Sequence, residues 1–396
     1  MEGPGDDRQS HLWVGGDWHL LAREASAVKK VRSFPLVMAA VLVLLLGWTR
    51  PALADRAMEP EAALKTYGDW KVGCDTIRAC RAIGLAPRDS ATSGYVLVTR
   101  AGEAAAAPRV SVISRLDERF ASPLRLSLTV DAAPVSGLSS ASWPAVASEG
   151  GDSVRVDIGG ADAVLLLARL ATGKSLEVKV AGEGHPQATA VLSLTGASDA
   201  LAHMDAVQLR TGTVTALVAP GTVPAATIPA VPSPPVVTST QMVAILPPPE
   251  PLPPGVNPAD PDDCAGARPP MVQVVRLSGG LELWGTCYAR GSYNEQTAFW
   301  LVGQGPTRPA TFPLPAGLSF TDAPAILENA VLSSDGHTLD SYVRGRGAGD
   351  CGAAIKWVWT GAEFKLADLA MMDDCRGVPQ EDWPVVFRAR WTRHAP

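Results

Sequence analysis

A proline-dense segment over residues 218–263 divides the chain into two parts. It contains the runs APGTVPAATIPAVPSPPVV and LPPPEPLPPGVNPADPDD. Proline fixes φ and lacks a backbone N–H, so such a segment favours polyproline II and resists pairing into a sheet. We therefore expect a semi-rigid spacer at 218–263, between an N-terminal domain at 55–217 and a C-terminal domain at 264–396. The apolar stretch VVTSTQMVAIL inside the segment is expected to dock as an edge strand.

Strand patterns prevail on both sides of this segment. We predict a mainly β fold: a β-rich α+β first domain with two short helices, and a nearly all-β second domain of the β-sandwich kind. The helices are predicted at 161–170 and 198–209, each followed by a glycine that favours a stop. The strand patterns cover residues 69–73, 95–99, 109–114, 124–130, 154–158, 176–180 and 189–194, and then 272–275, 281–288, 298–302, 326–332, 339–343, 354–359, 363–366 and 385–391.

The N-terminal region has the pattern of a secretory signal peptide. A basic run precedes the apolar run FPLVMAAVLVLLLGW at 34–48, and small residues lead up to Ala54. We expect a signal peptide at 28–54, cleavage after Ala54, and a periplasmic or secreted mature protein. The alternative is an uncleaved anchor, which is the one case in which we expect membrane contact. Residues 1–27 do not fit a leader, and we expect them to be a mis-assigned extension ahead of a start at Val28.

Six cysteines follow the apolar run, and none precedes it: Cys74, Cys80, Cys264, Cys287, Cys351 and Cys375. An even number in an exported chain indicates disulfides. The first two stand apart from the others beyond the prolines, so we expect them to pair. For the other four we prefer Cys264–Cys287 and Cys351–Cys375 because they are near in sequence, with other pairings left open. Zinc is the alternative, but no CxxC pair is present, and we expect neither a metal nor a cofactor.

The run GDWKVGC at 68–74 is the first motif with a definite geometry. Alternate side chains of a strand share one face, which places Trp70 and Cys74 together. We predict that Trp70 packs over the first disulfide, and that Asp69 and Lys71 face water. Stacking of Trp70 on a ligand is the alternative.

Two polar runs in the second part supply the candidate binding residues. Arg344, Arg346 and Asp350 lie among closely spaced glycines, and Tyr293 and Asn294 lie in a predicted loop. Two guanidinium groups beside glycines can hold a carboxylate or a phosphate. Internal ion pairs are the alternative for the arginines, and turn formation is the alternative for the loop.

The paired residues Trp357 and Trp359 share one face of a predicted strand. We predict that both lie in the core. An exposed aromatic strip that binds glycan or peptide is the alternative.

The chain resembles a known family. Its stretch Tyr67-Gly-Asp-Trp-Lys-Val-Gly-Cys74 is similar to the opening of the invasion-associated locus B proteins and of the domain of unknown function 1176 family. The second part resembles the latter family at Trp284, Cys287, 291–294, 344–347, 349–352, 357–361, Phe364 and 375–377, with small departures at Ser292 and Thr360. The resemblance covers nearly the whole mature chain. It implies an exported bacterial protein of unknown function and supplies no catalytic residue.

The charge balance and the motifs narrow the classes of function. A net charge of −6 provides no basic surface for nucleic acid, and we expect no such partner. The scattered histidines and the absence of a GxSxG run indicate no known catalytic motif. We therefore expect a non-catalytic envelope module that binds a protein, a peptide or a glycan. The alternatives are an unrecognised envelope hydrolase and a purely structural or assembly protein.

Overall fold

The computed structural model describes residues 63–90, 93–116, 120, 122–183, 187–258, 262–265, 272–303 and 305–393. The predicted signal peptide, its cleavage site at Ala54 and the predicted extension 1–27 lie outside these residues. All of the described residues belong to a single compact unit. Within the described part of the chain, no helix combines the length and the apolar character needed to cross a membrane.

The first part consists of an antiparallel sheet and two helices. Its strands are β1 Lys65–Tyr67, β2 Trp70–Cys74, β3 Cys80–Leu85, β4 Gly94–Arg100, β5 Arg109–Arg115, β6 Leu124–Val130, β7 Ala133–Pro134, β8 Trp143–Ala147, β9 Ser153–Ile158, β10 Ser175–Ala181 and β11 Ala188–Ser193. The helices are α1 Gly160–Leu170 and α2 Ala197–Val207. The strand order is β1-β2-β3-β4-β5-β9-β8-β6-β10-β11, with β7 beside β6.

Apolar spacing explains these elements. In β6, the apolar residues alternate with polar ones and are the buried set, as a half-buried strand requires. In α1, the buried residues Ala163, Leu166, Leu167 and Leu170 follow helical spacing and face the sheet core. Gly84 lies opposite Trp70 in the β2–β3 register, and a side chain there would collide with the indole ring.

The second part forms three further sheets among the described residues. Its strands are β12 Val236–Ser239, β13 Val243–Ile245, β14 Val272–Arg276, β15 Glu282–Arg290, β16 Glu295–Val302, β17 Arg308–Pro309, β18 Ile326–Glu328, β19 Val331–Leu332, β20 Leu339–Arg344, β21 Gly352–Trp359, β22 Phe364–Met372, β23 Val385–Arg388 and β24 Arg390–Arg393. The six-stranded sheet has the order β13-β14-β15-β16-β17 with β18 beside β16, and the five-stranded sheet has the order β19-β20-β21-β22-β23. Strands β12 and β24 pair in parallel.

The five-stranded sheet is packed on both faces. One face meets the six-stranded sheet through Leu283, Phe299 and Trp357. Part of the other face meets β3, β4 and β5 of the first part through a core that contains Ile83 and Trp383. Apolar burial therefore joins the two parts of the chain.

Polar contacts join the two parts as well. The hydroxyl of Tyr95 donates to Asp382 Oδ2 at 2.6 Å. Arg376 Nη1 donates to Asp69 Oδ1 at 2.8 Å. The contact surface between the two parts is therefore specific in its polar pairs as well as in its apolar packing.

The prediction of a mainly β fold with two helices is confirmed. The apolar stretch within the proline-dense segment docks as predicted, since β12 pairs with β24 and β13 with β14. The division into two domains and a spacer, with the boundaries predicted above, stays a prediction.

The predicted disulfides are confirmed. Cys74–Cys80, Cys264–Cys287 and Cys351–Cys375 form, and no described cysteine is free. Trp70, Cys74 and Cys80 belong to one buried cluster, which confirms the prediction that this tryptophan lies in the core with the first disulfide. The two tryptophans of β21, Trp357 and Trp359, are buried as predicted.

The predicted exposure of Lys71 is wrong. Its side chain is buried, and its Nζ lies 2.8 Å from Asp373 Oδ1. The same amine donates to Thr66 Oγ1 at 2.9 Å. The second part of the chain covers this face of β2, a contact that strand alternation within β2 does not reveal.

Candidate functional site

A ladder of alternating charges crosses four neighbouring strands of the five-stranded sheet. The register places Asp340 of β20 beside Lys356 of β21, that lysine beside Asp368 of β22, and that aspartate beside Arg388 of β23. Neighbouring strands lie about 4.8 Å apart, so the signs alternate at that spacing. Opposite charges on adjacent strands attract, which favours this register.

The contacts along the ladder differ in length. Lys356 Nζ lies 2.7 Å from Asp340 Oδ2. Arg388 Nε lies farther from its neighbours, at 3.8 Å from Asp368 Oδ2 and 3.4 Å from Asp75 Oδ2. The first pair is a hydrogen-bonded ion pair, whereas Arg388 is shared between two carboxylates.

The ladder forms the floor of two adjoining clefts. A cleft of about 330 Å³ and one of about 560 Å³ both include Asp340, Lys356 and Asp368 in their lining. Trp383 lines the first cleft and Trp391 lines the second. We call the two clefts and their shared floor the charged groove.

Some buried polar atoms of the charged groove and of the neighbouring Asp75 lack a hydrogen bond. Asp340 Oδ1, Arg388 Nε and Asp75 Oδ2 have no hydrogen-bond partner among the described residues, although the last two form an ion pair at 3.4 Å. Burial raises the pKa of the Asp368 carboxyl, although the cations of Arg388 and Lys356 oppose that rise. Burial likewise raises the pKa of Asp75. Buried polar atoms are usually hydrogen-bonded. Among these three atoms, Arg388 Nε and Asp75 Oδ2 have an ion pair in place of that bond, and Asp340 Oδ1 has neither among the described residues.

The first part of the chain contributes to the rim. Arg81 of β3 lines the smaller cleft and donates through Nη1 to the carbonyl of Glu381 at 2.6 Å and to that of Trp383 at 3.0 Å. Burial lowers the pKa of Arg81 despite the nearby Asp382 carboxylate. The charged groove is therefore complete only where both parts of the chain meet.

Three of the residues predicted to bind lie together beside the charged groove. Asn294 Nδ2 donates to the carbonyl of Arg344 at 2.9 Å, and the amide of Arg344 donates to Asn294 Oδ1 at 3.1 Å. The hydroxyl of Tyr293 donates to the carbonyl of Gly345 at 3.2 Å. The structure thus brings the polar loop and the first arginine into one cluster.

This cluster contacts two residues of the smaller cleft, Asn329 and Tyr342. Asn329 Nδ2 donates to Asn294 Oδ1 at 2.8 Å and to the carbonyl of Tyr342 at 2.7 Å. Both Asn329 and Tyr342 line that cleft. The guanidinium carbon of Arg344 lies 5.5 Å from the centre of the Tyr342 ring, a cation–π arrangement.

The other two predicted residues pair with each other. Arg346 Nε donates to Asp350 Oδ1 at 2.6 Å, and Nη2 of the same side chain contacts Asp350 Oδ2. The amide of Gly377 also donates to Asp350 Oδ2 at 2.6 Å. Burial alone would raise the pKa of Asp350, but the bonds from Arg346 and Gly377 hold it below its ordinary value. This arrangement is the internal ion pair that was the alternative for these residues, and their role in binding stays a prediction.

Sequence reasoning missed the residues of the ladder. Asp340, Lys356, Asp368 and Arg388 lie in four separate segments and belong to no motif. The available signal was a single charged residue inside the predicted strands at Asp340 and Lys356, which ordinarily indicates a solvated face. Asp368 lies outside the predicted strand 363–366, and Arg388 shares its predicted strand with Arg390.

A buried carboxyl near this cluster leads to a pH-dependent prediction. Burial raises the pKa of Glu328, the hydrogen bond from Gln296 opposes the rise, and Asp322 adds to it. The folded protein therefore loses stability as the pH rises through the folded pKa of Glu328, because the unfolded carboxyl ionises at lower pH. Glu328→Gln should remove this loss of stability. The loss in the free energy of unfolding is about 1.4 kcal/mol for each unit that separates the folded and unfolded pKa values of Glu328.

Thermal unfolding of the wild-type protein and the Glu328→Gln variant at two pH values checks this. The difference in Tm, variant minus wild type, should be larger at pH 8 than below about pH 4. At the lower pH, Glu328 is protonated in both the folded and the unfolded wild-type protein. The same Tm difference at both pH values would contradict it.

Comparison with known proteins adds relatives of unknown function. The chain is 26% identical over 217 residues to "Uncharacterized protein YpfG" of Escherichia coli (strain K12). The match spans 50% of this chain and 60% of that protein, which is less than two thirds of its length. The crystal structure of invasion associated protein B from Bartonella henselae matches with a TM-score of 0.27 and 21% identity, over 37% of this chain and 99% of that one.

A family model described as "Protein of unknown function (DUF1176)" matches residues 64–390, which is most of the chain. This range includes every strand of the charge ladder and all three disulfides. The chain belongs to the DUF1176 family of proteins of unknown function.

Proposed function

We propose that this protein is exported to the bacterial envelope and acts there as a non-catalytic binding module, with the charged groove as its binding surface. The signal pattern at 28–54 supports export. Three disulfides also support it, because such bonds persist in oxidising compartments.

The observation that carries the binding role is the position of the charge ladder at the floor of open clefts. The ladder side chains are between 29% and 48% exposed, so a ligand can reach them. They are also partly desolvated by the cleft walls, so ion pairs with a ligand are stronger here than on an open surface. A ladder that only stabilised the sheet would not need to lie at the floor of an open cleft. Its ion pairs could form equally well when covered by other residues or fully exposed to water.

The alternation of signs indicates the class of ligand. A polyanion would be repelled by Asp340 and Asp368, and a polycation would be repelled by Lys356 and Arg388. An extended peptide with charges of both signs meets complementary groups at each step of the ladder. Hydroxyls and the indole of Trp391 line the larger cleft, which suits the polar backbone and apolar side chains of such a peptide.

The test inverts the first ion pair of the ladder and keeps its net charge. In the double variant Asp340→Lys/Lys356→Asp, the pairing between positions 340 and 356 is retained, but the ligand charges that faced these two positions now meet like charges, and position 356 loses its attraction to Asp368. The mature protein is applied to an immobilised array of mixed-charge peptides, with all-acidic peptides, all-basic peptides and neutral chitooligosaccharides as further arms. We expect wild-type binding to the mixed-charge peptides and a loss of about tenfold in the variant.

The matched control inverts a second ion pair outside the charged groove. Lys365 Nζ lies 2.8 Å from Glu363 Oε1, and neither residue lines a cleft of the groove. Glu363→Lys/Lys365→Glu should bind like wild type. Equal binding by the groove variant, or capture on the chitooligosaccharides alone, would refute the peptide proposal; no binding in any arm would favour a structural or assembly role.

One observation favours a hydrolase as the second candidate. Asp340 and Asp368 lie two strands apart in one cleft, and burial raises the pKa of Asp368. A carboxyl that keeps its proton to higher pH suits a general acid. Peptidoglycan fragments that appear in mass spectra with the wild-type protein and vanish with Asp368→Asn would establish this reaction, whereas an unchanged polymer would dismiss it.

A further inference from the structure

An apolar cavity lies in the first part of the chain. Its volume is about 490 Å³, and it is lined by α1, the segment 105–108, the segment 214–220 and one residue of α2. The described residues of its lining are alanine, valine, leucine, proline, serine and threonine, with no ionisable and no aromatic side chain among them. The cavity shares no lining residue with either cleft of the charged groove. It is therefore a separate place on the protein with a different chemistry.

The apolar lining of this cavity is accessible to a ligand. Val164 of α1 and Val214 are 52% and 53% exposed, and Ala168 of α1 is exposed as well. Leu167 and Leu217 line the cavity from the first core, in which they are buried. Single exposed apolar residues are common on proteins, but a contiguous exposed apolar patch marks a binding site.

A buried arginine ties together the two loop walls of the cavity. Arg210 is fully buried, and its Nη1 donates to the carbonyl of Ala104 at 3.1 Å and to Thr215 Oγ1 at 3.0 Å. The first bond anchors one wall and the second anchors the other. Arg100 Nη1 donates to the carbonyl of the same threonine at 3.0 Å. The cavity is therefore formed before any ligand arrives, which reduces the cost of ordering its walls on binding.

The lining selects against charged and strongly polar ligands. An ion would lose its hydration here without meeting a counter-charge, and a peptide backbone would leave most of its N–H and C=O groups unpaired. Two of the three hydroxyls in the described lining are already engaged, since Thr172 Oγ1 donates to the carbonyl of Ala168 at 3.2 Å and Thr215 Oγ1 accepts from Arg210. An uncharged aliphatic chain needs neither a counter-charge nor a hydrogen-bond partner, so it complements this surface in charge and in polarity.

We propose that this cavity binds the acyl chain of a fatty acid, whose carboxylate stays in water at the mouth. The volume falls within the ~300–1,000 Å³ of pockets that hold small ligands, which suits one chain rather than a two-chain lipid. No group of the described lining would recognise a phosphate head. The inference goes beyond the proposed peptide binding and rests on no residue of the charged groove.

The dependence of affinity on chain length tests the proposal. Octanoate and decanoate are titrated separately into the mature protein, and binding is measured by isothermal titration calorimetry. Each methylene that enters the cavity should tighten binding about fourfold, so decanoate should bind about fifteenfold more tightly than octanoate. Cosedimentation with phosphatidylglycerol vesicles supplies the two-chain lipid, and we expect the protein to stay in the supernatant.

Two neighbouring residues of α1 supply a matched pair of variants. Val164 lines the cavity, whereas Leu165 is also exposed, at 39%, and is not among the lining residues. Val164→Glu places a carboxylate in the lining and should weaken decanoate binding about tenfold or more. Leu165→Glu makes the same change of charge one residue away and should bind like wild type. Both side chains are exposed, so neither variant buries a charge on folding.

A third variant separates binding inside the cavity from adhesion to an apolar surface. In Ala168→Phe the ring would occupy the cavity and also add apolar surface, so binding in the cavity should be lost whereas simple adhesion would increase. The proposal would be overturned by any of three results: equal affinity for octanoate and decanoate, equal decanoate binding by Val164→Glu and Leu165→Glu, or capture on the vesicles that Val164→Glu abolishes.

Discussion

Replacing Trp383 by alanine should lower the free energy of unfolding by about 3–5 kcal/mol and destabilise both parts of the chain together. The side chain is fully buried between the five-stranded sheet and strands of the first part. Its ring centre lies 5.7 Å from that of Tyr342, and its cluster includes Ile83 and Tyr95. Alanine would leave a cavity in the core that both parts share within the described portion of the chain.

Urea unfolding of the mature protein, followed by tryptophan fluorescence and by far-ultraviolet circular dichroism, checks this. Both signals should show one coincident transition that shifts to lower urea in Trp383→Ala. The control is Trp143→Ala, which removes a partly exposed tryptophan at the periphery of the first core and should cost less. Two separate transitions, only the later of which shifts, would show that the parts unfold independently, as two autonomous domains do.

Replacing Asp205 by alanine should cost about 3–5 kcal/mol by leaving Arg100 buried without its counter-ion. Asp205 Oδ1 lies 2.6 Å from Arg100 Nη2, and the two side chains are 3% and 0% exposed. Asp205 Oδ2 accepts bonds from the amides of Leu217 at 2.7 Å and Val218 at 3.0 Å. The carboxylate therefore joins α2, β4 and the beginning of the proline-dense segment, and alanine would release all three contacts.

The matched control lies on the same helix. Asp199 is exposed in the first turn of α2, and Asp199→Ala should cost about 0.3–1 kcal/mol through the lost helix-dipole contact. Asp205→Asn keeps an oxygen acceptor, so its unfolding midpoint should fall between those of wild type and Asp205→Ala. Equal midpoints for Asp199→Ala and Asp205→Ala would contradict a special role for the buried pair.

Hydrophobic periodicity predicted the strands and helices that bury one face and expose the other face to water. The strand Leu124–Val130 was predicted with its observed bounds because its apolar and polar residues alternate. The strand Cys80–Leu85 was missed because it is buried on both faces and its residues show no alternation. The predicted strand over 326–332 is interrupted at Asn329, whose side chain instead bonds to two neighbouring segments, residues 294–295 and β20.

Sequence reasoning predicted residues that lie beside the charged groove, but none of the ladder residues that form its floor. Tyr293, Asn294 and Arg344 stood out because polar residues and glycines cluster around them, and the structure does bring them together. Asp340 and Asp368 carry no such mark. Asp340 is the single charged residue of its predicted strand, which is the ordinary sign of a solvated face, and Asp368 lies beyond the predicted strand 363–366. Their importance as a pair depends on which strands are neighbours.

The sequence by itself determined the secondary structure of most strands, both helices and the Cys74–Cys80 disulfide, and it favoured the other two disulfides without fixing them. These follow from local alternation and from cysteines that pair within one part of the chain. Only the tertiary structure decided the order of the strands, the burial of Lys71, the alternating ladder and the apolar cavity beside α1. The physical reason is that alternation states which face of a strand is buried, whereas strand order and register decide what that face meets.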